Sequence, residues 1–155
     1  MKPLLIAGLI LTALFADNAL LLPHRWQDAR HTLGVMIRSG NTPLLLMTER
    51  LDDSYLRQAL RQALENDRNV TLITSSRETA SRWAMYRSLH ACLLPPGTVM
   101  TFSLLRTSET GCMVSGTLET ETLRSASGLM VCKERKAFNE TVRLLQQECR
   151  GYFKR

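Results

Sequence analysis

Few residues in this chain combine a reactive side chain with a spacing that chemistry could use. Among its 155 residues are three histidines, four cysteines, 14 acids and 20 basic residues. His31 follows Asp28 by three positions, a helical spacing that brings an acid beside a base, but a surface pair is the simpler account. Ser75-Ser76 ends an apolar run, a place where α/β folds bind ligands. No Gly-x-Ser-x-Gly elbow surrounds it, so helix capping explains it better. His90-Ala91-Cys92 is the one local pair of metal-ligand type. The cysteines stand 20, 20 and 17 residues apart, without the close pairs that zinc needs, so no metal is expected. Gly-x-x-x-x-Gly-Lys loops and His-Glu-x-x-His helices are absent too, and no cofactor is expected.

The basic residues are the other chemical resource. Sixteen of the 20 are arginine and the net charge is +6, so an anionic partner is worth considering, with an ordinary basic surface as the simpler account. Arg57 and Arg61 fall one turn apart in one helical stretch, and Arg77, Arg82 and Arg87 in or near another. A nucleic-acid surface would need such residues on one face with aromatics beside them. Trp26, Trp83, Tyr86 and Phe102 are scattered, so solvated faces are the simpler account. An apolar fraction of 45% with eight glycines and five prolines excludes disordered and collagen-like classes. The length fits one domain.

Met1-Lys2, an apolar run from Pro3 to Phe15 and a small residue at Ala16 have the pattern of a secretory signal. Leu14 is large for its position in such a cut site. The alternative is an uncleaved membrane anchor reaching Leu22, with Asp17 and Asn18 near its end. Residues 1–16 are therefore read as signal or anchor and 17–155 as the domain, in the periplasm, secreted, or tethered to the inner membrane. Membrane contact is expected only through that segment. Cys92, Cys112, Cys132 and Cys149 in an exported chain imply two disulfides, with three pairings open. A cross-strand Cys112–Cys132 bridge with Cys92–Cys149 is preferred.

These residues must be positioned by an alternating layout. Trp26, Ala29, Leu33, Met36 and Ile37 have helical spacing, and Gly40-Asn41 ends the run. Pro43–Met47 and Val70–Thr74 read as strands buried on both faces. Between them, Asp52 or Asp53 caps a helix with Leu56, Ala59, Leu60, Ala63 and Leu64 inward. A third helix is expected over Thr79–Ala91, and Pro95-Pro96-Gly97 breaks the chain. Val99–Leu105, Cys112–Leu118 and Leu129–Cys132 follow as strands, then a helix over Arg135–Cys149. The fold class is α/β, a mixed sheet flanked by helices, with parallel crossovers first and a hairpin-like element later.

From Leu22 to Tyr152 this order and spacing resembles the phospholipase D superfamily, in particular its short single-motif bacterial endonucleases. The most similar stretches are Pro43–Met47 running into Leu51–Leu56, Asn69–Thr74, and Thr101–Leu118 with Ser115-Gly116-Thr117. The resemblance implies exported homodimers that use a His-x-Lys-x4-Asp motif and a following Gly-Ser-x-Asn segment. One histidine would attack phosphorus while its counterpart protonates the leaving group. Lysine and asparagine would hold the phosphate. With Gly116 on the motif's glycine, Phe102 replaces the histidine, Leu104 the lysine and Glu109 the aspartate. Thr117 and Glu119 replace the serine and asparagine. Phenylalanine cannot attack phosphorus and leucine cannot neutralise charge, so the family's activity is not carried over.

The resulting expectation is a catalytically inactive phospholipase-D-like envelope protein. It would serve as a binding or assembly module, as a homodimer or with an envelope partner, alongside a conjugation or secretion apparatus. Arg106 and Arg124 flank the degenerate motif and are candidates for holding a phosphate-bearing ligand. Two alternatives stay open: a phosphodiesterase or nuclease using His90, Glu109 or Cys112, and a nucleic-acid binder that does not cleave.

Overall fold

The apolar run Leu44–Met47 (β2) is buried along its whole length, and Val70–Thr74 (β3) lies parallel to it. Strands buried on both faces require a layer on each side. In the computed structural model, which describes residues 19–149 and the backbone of 152–153, both layers are present. The proposed signal or anchor lies outside the described residues. On one side pack Trp26–Arg38 (α1), Ser54–Glu65 (α2), Arg77–Trp83 (α3) and Thr120–Ser125 (α4), through residues such as Leu33, Leu60, Trp83 and Leu123. On the other side a 3-10 turn, Arg135–Phe138, leads into Asn139–Gln147 (α5), whose Val142 joins Phe138 and Leu104 in a second cluster.

The remaining strands are Ala19–Leu22 (β1), Leu89–Leu93 (β4), Phe102–Arg106 (β5), Thr110–Ser115 (β6), Gly128–Glu134 (β7) and Tyr152–Phe153 (β8). They form one sheet in the order β1-β7-β6-β5-β2-β3-β4-β8. β2, β3 and β4 run parallel, and every other pairing is antiparallel. The expected α/β fold, with parallel crossovers first and a hairpin later, is what forms. No helix among the described residues is long and apolar enough to cross a membrane.

The expected third helix is half right. α3 stops at Trp83, and the chain turns through hydrogen bonds from Tyr86 N to Trp83 O and from Leu89 N to Tyr86 O. Leu89–Leu93 is then a strand. Pairing with β3 satisfies its backbone and buries Leu89, Ala91 and Cys92, so tertiary pairing overrides a helical pattern. β1 and α4 were not expected from the sequence either. Both contribute few residues, and neither is long enough to show a period.

Two buried charges fix the helices. Asp53, fully buried, caps α2 by accepting from Leu56 N at 3.0 Å. It also accepts from Arg30 Nε of α1 at 2.9 Å and from the Thr120 hydroxyl of α4 at 2.8 Å. Arg68 donates to the carbonyls of Met36 (2.8 Å) and Ile37 (2.6 Å) at the end of α1 and to Thr42 O (2.8 Å). A cation is favourable at that end of a helix, while burial lowers the pKa of Arg68 below the ordinary guanidinium value. Replacing Asp53 removes a cap and strands Arg30. Asp53→Ala should therefore lower unfolding free energy by about 3 kcal/mol in chemical denaturation, with a smaller loss for the amide in Asp53→Asn.

Candidate functional site

Parallel strands that end side by side leave a crevice at their carboxyl ends; here Thr48 follows the last residue of β2 and Thr74 is the last residue of β3. Both threonines are buried and both hold the next loop down. Thr48 Oγ1 donates to Arg50 O at 2.9 Å, while Thr74 Oγ1 (3.3 Å) and Thr79 Oγ1 (2.7 Å) donate to Glu49 O. The segment after β6 is strapped to the same loop. Leu118 N donates to Arg50 O, and Asp52 N and Asp53 N donate to Leu118 O. From β5, buried Ser103 donates to Gly116 O at 2.8 Å and lies 2.9 Å from Thr48 Oγ1.

Gly116 has φ +78, and a Cβ there would stand 2.7 Å from Thr122 Cγ2, so the sharp exit from β6 requires glycine. The turn brings Thr117 and Glu119 together, with Thr117 Oγ1 donating to Glu119 Oε2 at 2.5 Å and lying 3.1 Å from Thr122 Oγ1. Arg50 Nη1 stands 3.6 Å from Glu119 Oε1. A carboxylate thus occupies the position where the resemblance implied a neutral amide donor, and an anion repels phosphate.

Phe102 and Leu104 lie two residues apart on β5 and so face the same side of the sheet. Leu104 is completely buried, opposite Met47 on β2 and Met113 on β6, inside the cluster covered by α5. Phe102, half-buried, opens β5 opposite Ser115. Continuing the β6–β7 register from Val114 and Met130 puts Ser115 opposite Leu129, and Ser115 Oγ bonds the Leu129 backbone. Leu129 in turn faces Leu21 on β1. Phe102, Ser115, Leu129 and Leu21 form one row on one face, and Leu21 and Leu129 remain 65% and 40% exposed.

Glu109 is separated from this end. It is exposed in the turn between β5 and β6, the full length of β5 from Phe102, about 13 Å at strand rise. His90 is on β4, three strands from β5, roughly 14 Å at ordinary strand spacing. Cys112 is buried and bonded to Cys132, the two Cα atoms 4.0 Å apart across β6 and β7. Cys92 is bonded to Cys149, so both preferred bridges form. His90, Glu109 and Cys112 therefore do not assemble into one constellation. Disulfide formation also removes the Cys112 thiol.

Arg106 and Arg124 are not brought together. Arg106 shares the face of Leu104, whereas α4, which carries Arg124, packs by Leu123 into the cluster on the opposite side. The Asp28–His31 pair does not form either: Asp28 pairs with Arg25 at 2.6 Å, and His31 Nδ1 lies 3.4 Å from Tyr55 Oη. Ser76 caps α3 by accepting from Thr79 N, as expected of a capping serine. Arg82 is tied to Asp52 (2.6 Å) and Glu78 (3.1 Å).

No protein-family model and no curated protein matches this chain. Solved structures do. NucT from Helicobacter pylori is similar over 88% of this chain and 97% of its own, with TM-score 0.72 and 12% identity. Nuc from Salmonella typhimurium, described as a phospholipase D family member, is similar over the same shares with TM-score 0.70 and 13% identity. TrmBL2, an archaeal chromatin protein described as showing a novel mode of DNA binding, is similar over 94% of this chain and 60% of its own, at TM-score 0.53 and 12% identity. The chain has the phospholipase-D-like fold.

The burial of Leu104 can be tested directly. Leu104→Lys, which puts a cation where the resemblance implies a lysine, places an ammonium in a closed apolar cluster. It should destabilise the domain by about 4 kcal/mol in denaturant titration. A variant that stays within about 1 kcal/mol of the parent would show that this side chain reaches water.

Proposed function

We propose that this chain is a catalytically inactive phospholipase-D-like envelope protein that works as a binding or assembly module. The observation that carries the proposal is Leu104, which is sealed in the monomer's own core at the position where the fold's chemistry would need a phosphate-binding cation. Phe102 beside it offers neither a nucleophile nor a proton donor. Glu119 and Thr117 satisfy one another rather than facing an empty anion site.

The same change leaves an apolar row, Phe102–Leu129–Leu21, at the end of the sheet where catalysis would have occurred. A second copy of the chain is its proposed occupant, since the resemblance implies homodimers and exposed leucines on adjacent strands gain from mutual burial. Two disulfides support an exported location. A place beside a conjugation or secretion apparatus is the setting that the resemblance implies.

Purified residues 17–155 with chelator present should hydrolyse neither plasmid DNA nor a chromogenic phosphodiester above buffer. Turnover that survives Phe102→Ala and is lost in His90→Ala would replace this reading with a displaced active site. Analytical ultracentrifugation should show a dimer that Leu129→Glu weakens at least tenfold, on the order of 1.4 kcal/mol. A parent protein that is monomeric at high concentration would remove self-assembly from the proposal.

A further inference from the structure

The far end of β5 carries a different kind of surface. Arg106 closes the strand, and Arg135 opens the 3-10 turn beside it. Both line a cavity of about 160 Å³ that also includes Thr71, Ser108 and Gln146. No carboxylate is among its lining residues. Arg106 is half-buried, and its side-chain partner is a neutral group, Asn139 Oδ1 at 3.0 Å. Among the described residues, neither arginine forms an ion pair, whereas Arg25, Arg30, Arg50, Arg82 and Arg143 all do.

Two guanidinium groups at one recess repel each other, half-buried Arg106 also loses hydration, and no carboxylate among the residues lining the recess offsets this. The direction of the Arg106 pKa agrees: burial, then the nearby Arg135 charge, push it below the ordinary guanidinium value. The recess is also small. Water takes about 30 Å³ in the liquid, so the space equals roughly five waters, enough for one tetrahedral anion and a few further atoms.

We propose that this cavity binds a phosphate group, as inorganic phosphate or the phosphate of a small monoester, held by the forks of Arg106 and Arg135 with the hydroxyls of Thr71 and Ser108. Guanidinium forks suit phosphate oxygens because two parallel N–H donors meet two acceptors. The site differs from the fold's chemical end in position and composition. It stands whether or not the proposed self-assembly does, because it shares none of Phe102, Leu129 or Leu21.

Isothermal titration calorimetry of residues 17–155 at low ionic strength tests it, with inorganic phosphate in one arm and glycerol 3-phosphate in the other. One saturable site per chain is expected in at least one arm, and the tighter arm identifies the source of the phosphate. Affinity should fall at least tenfold in both Arg106→Gln and Arg135→Gln and stay unchanged in Arg124→Gln. The exposed Arg135 variant keeps the test open should Arg106→Gln fail to fold. Absence of saturable heat at millimolar ligand in both arms would overturn the proposal. So would equal binding by the Arg135→Gln protein, or binding of a single-stranded oligonucleotide with no response to either small phosphate.

Discussion

The buried carboxylate of Asp53 is the joint on which the arrangement of this molecule depends. It caps α2, holds Arg30 of α1 and accepts from Thr120 at the start of α4. Its own backbone N–H reaches across to Leu118 O. One residue thus connects three helices and the segment that leaves β6. A carboxylate with no exposure is tolerable only because cationic and neutral donors surround it. Together with the Leu118 N–Arg50 O bond and the Ser103 hydroxyl on Gly116 O, that joint ties the loop after β2 to the turn after Gly116.

What that anchoring positions is a phospholipase-D-like fold. Its parts are neighbouring strand ends, a glycine at positive φ and a hairpin that presents alternate residues. The side chains they place are an aromatic ring, a core leucine, and a threonine bonded to a carboxylate. Fold and activity are separable because backbone hydrogen bonds and apolar burial build the sheet, whereas a handful of polar side chains would perform the reaction. Ser103 is an example of a polar side chain used for structure. Its hydroxyl ties β5 to the Gly116 turn and is consumed by structure.

β5 consequently separates two surfaces of opposite character. Its first residue borders an apolar row reaching the edge strand β1, and its last residue borders a cationic recess. Both lie on the side of the sheet that α5 covers only in part. The side that packs α1 to α4 is filled by a larger apolar cluster and clasped at its margin by Arg68. Both proposed surfaces therefore lie where helical cover is thin. The Cys112–Cys132 bridge joins two of the strands beneath that surface, and Cys92–Cys149 ties β4 to the end of α5.

The sequence by itself determined the strongly periodic elements. α1, α2, β2 and β3 were legible because each buries a regular stripe or an unbroken apolar run, and caps at Asp52 or Asp53 and at Ser75-Ser76 were legible without the choice within each pair. Only the tertiary structure decided that Leu89–Leu93 is a strand, because its ladder with β3 outweighs a local helical pattern. Only the sheet could show that Arg106 and Arg124 lie on opposite sides, or that Arg106 meets Arg135 instead. Which side a strand residue faces follows from its parity, but which distant residue shares that side follows from strand order, and strand order is a long-range property that no local spacing encodes.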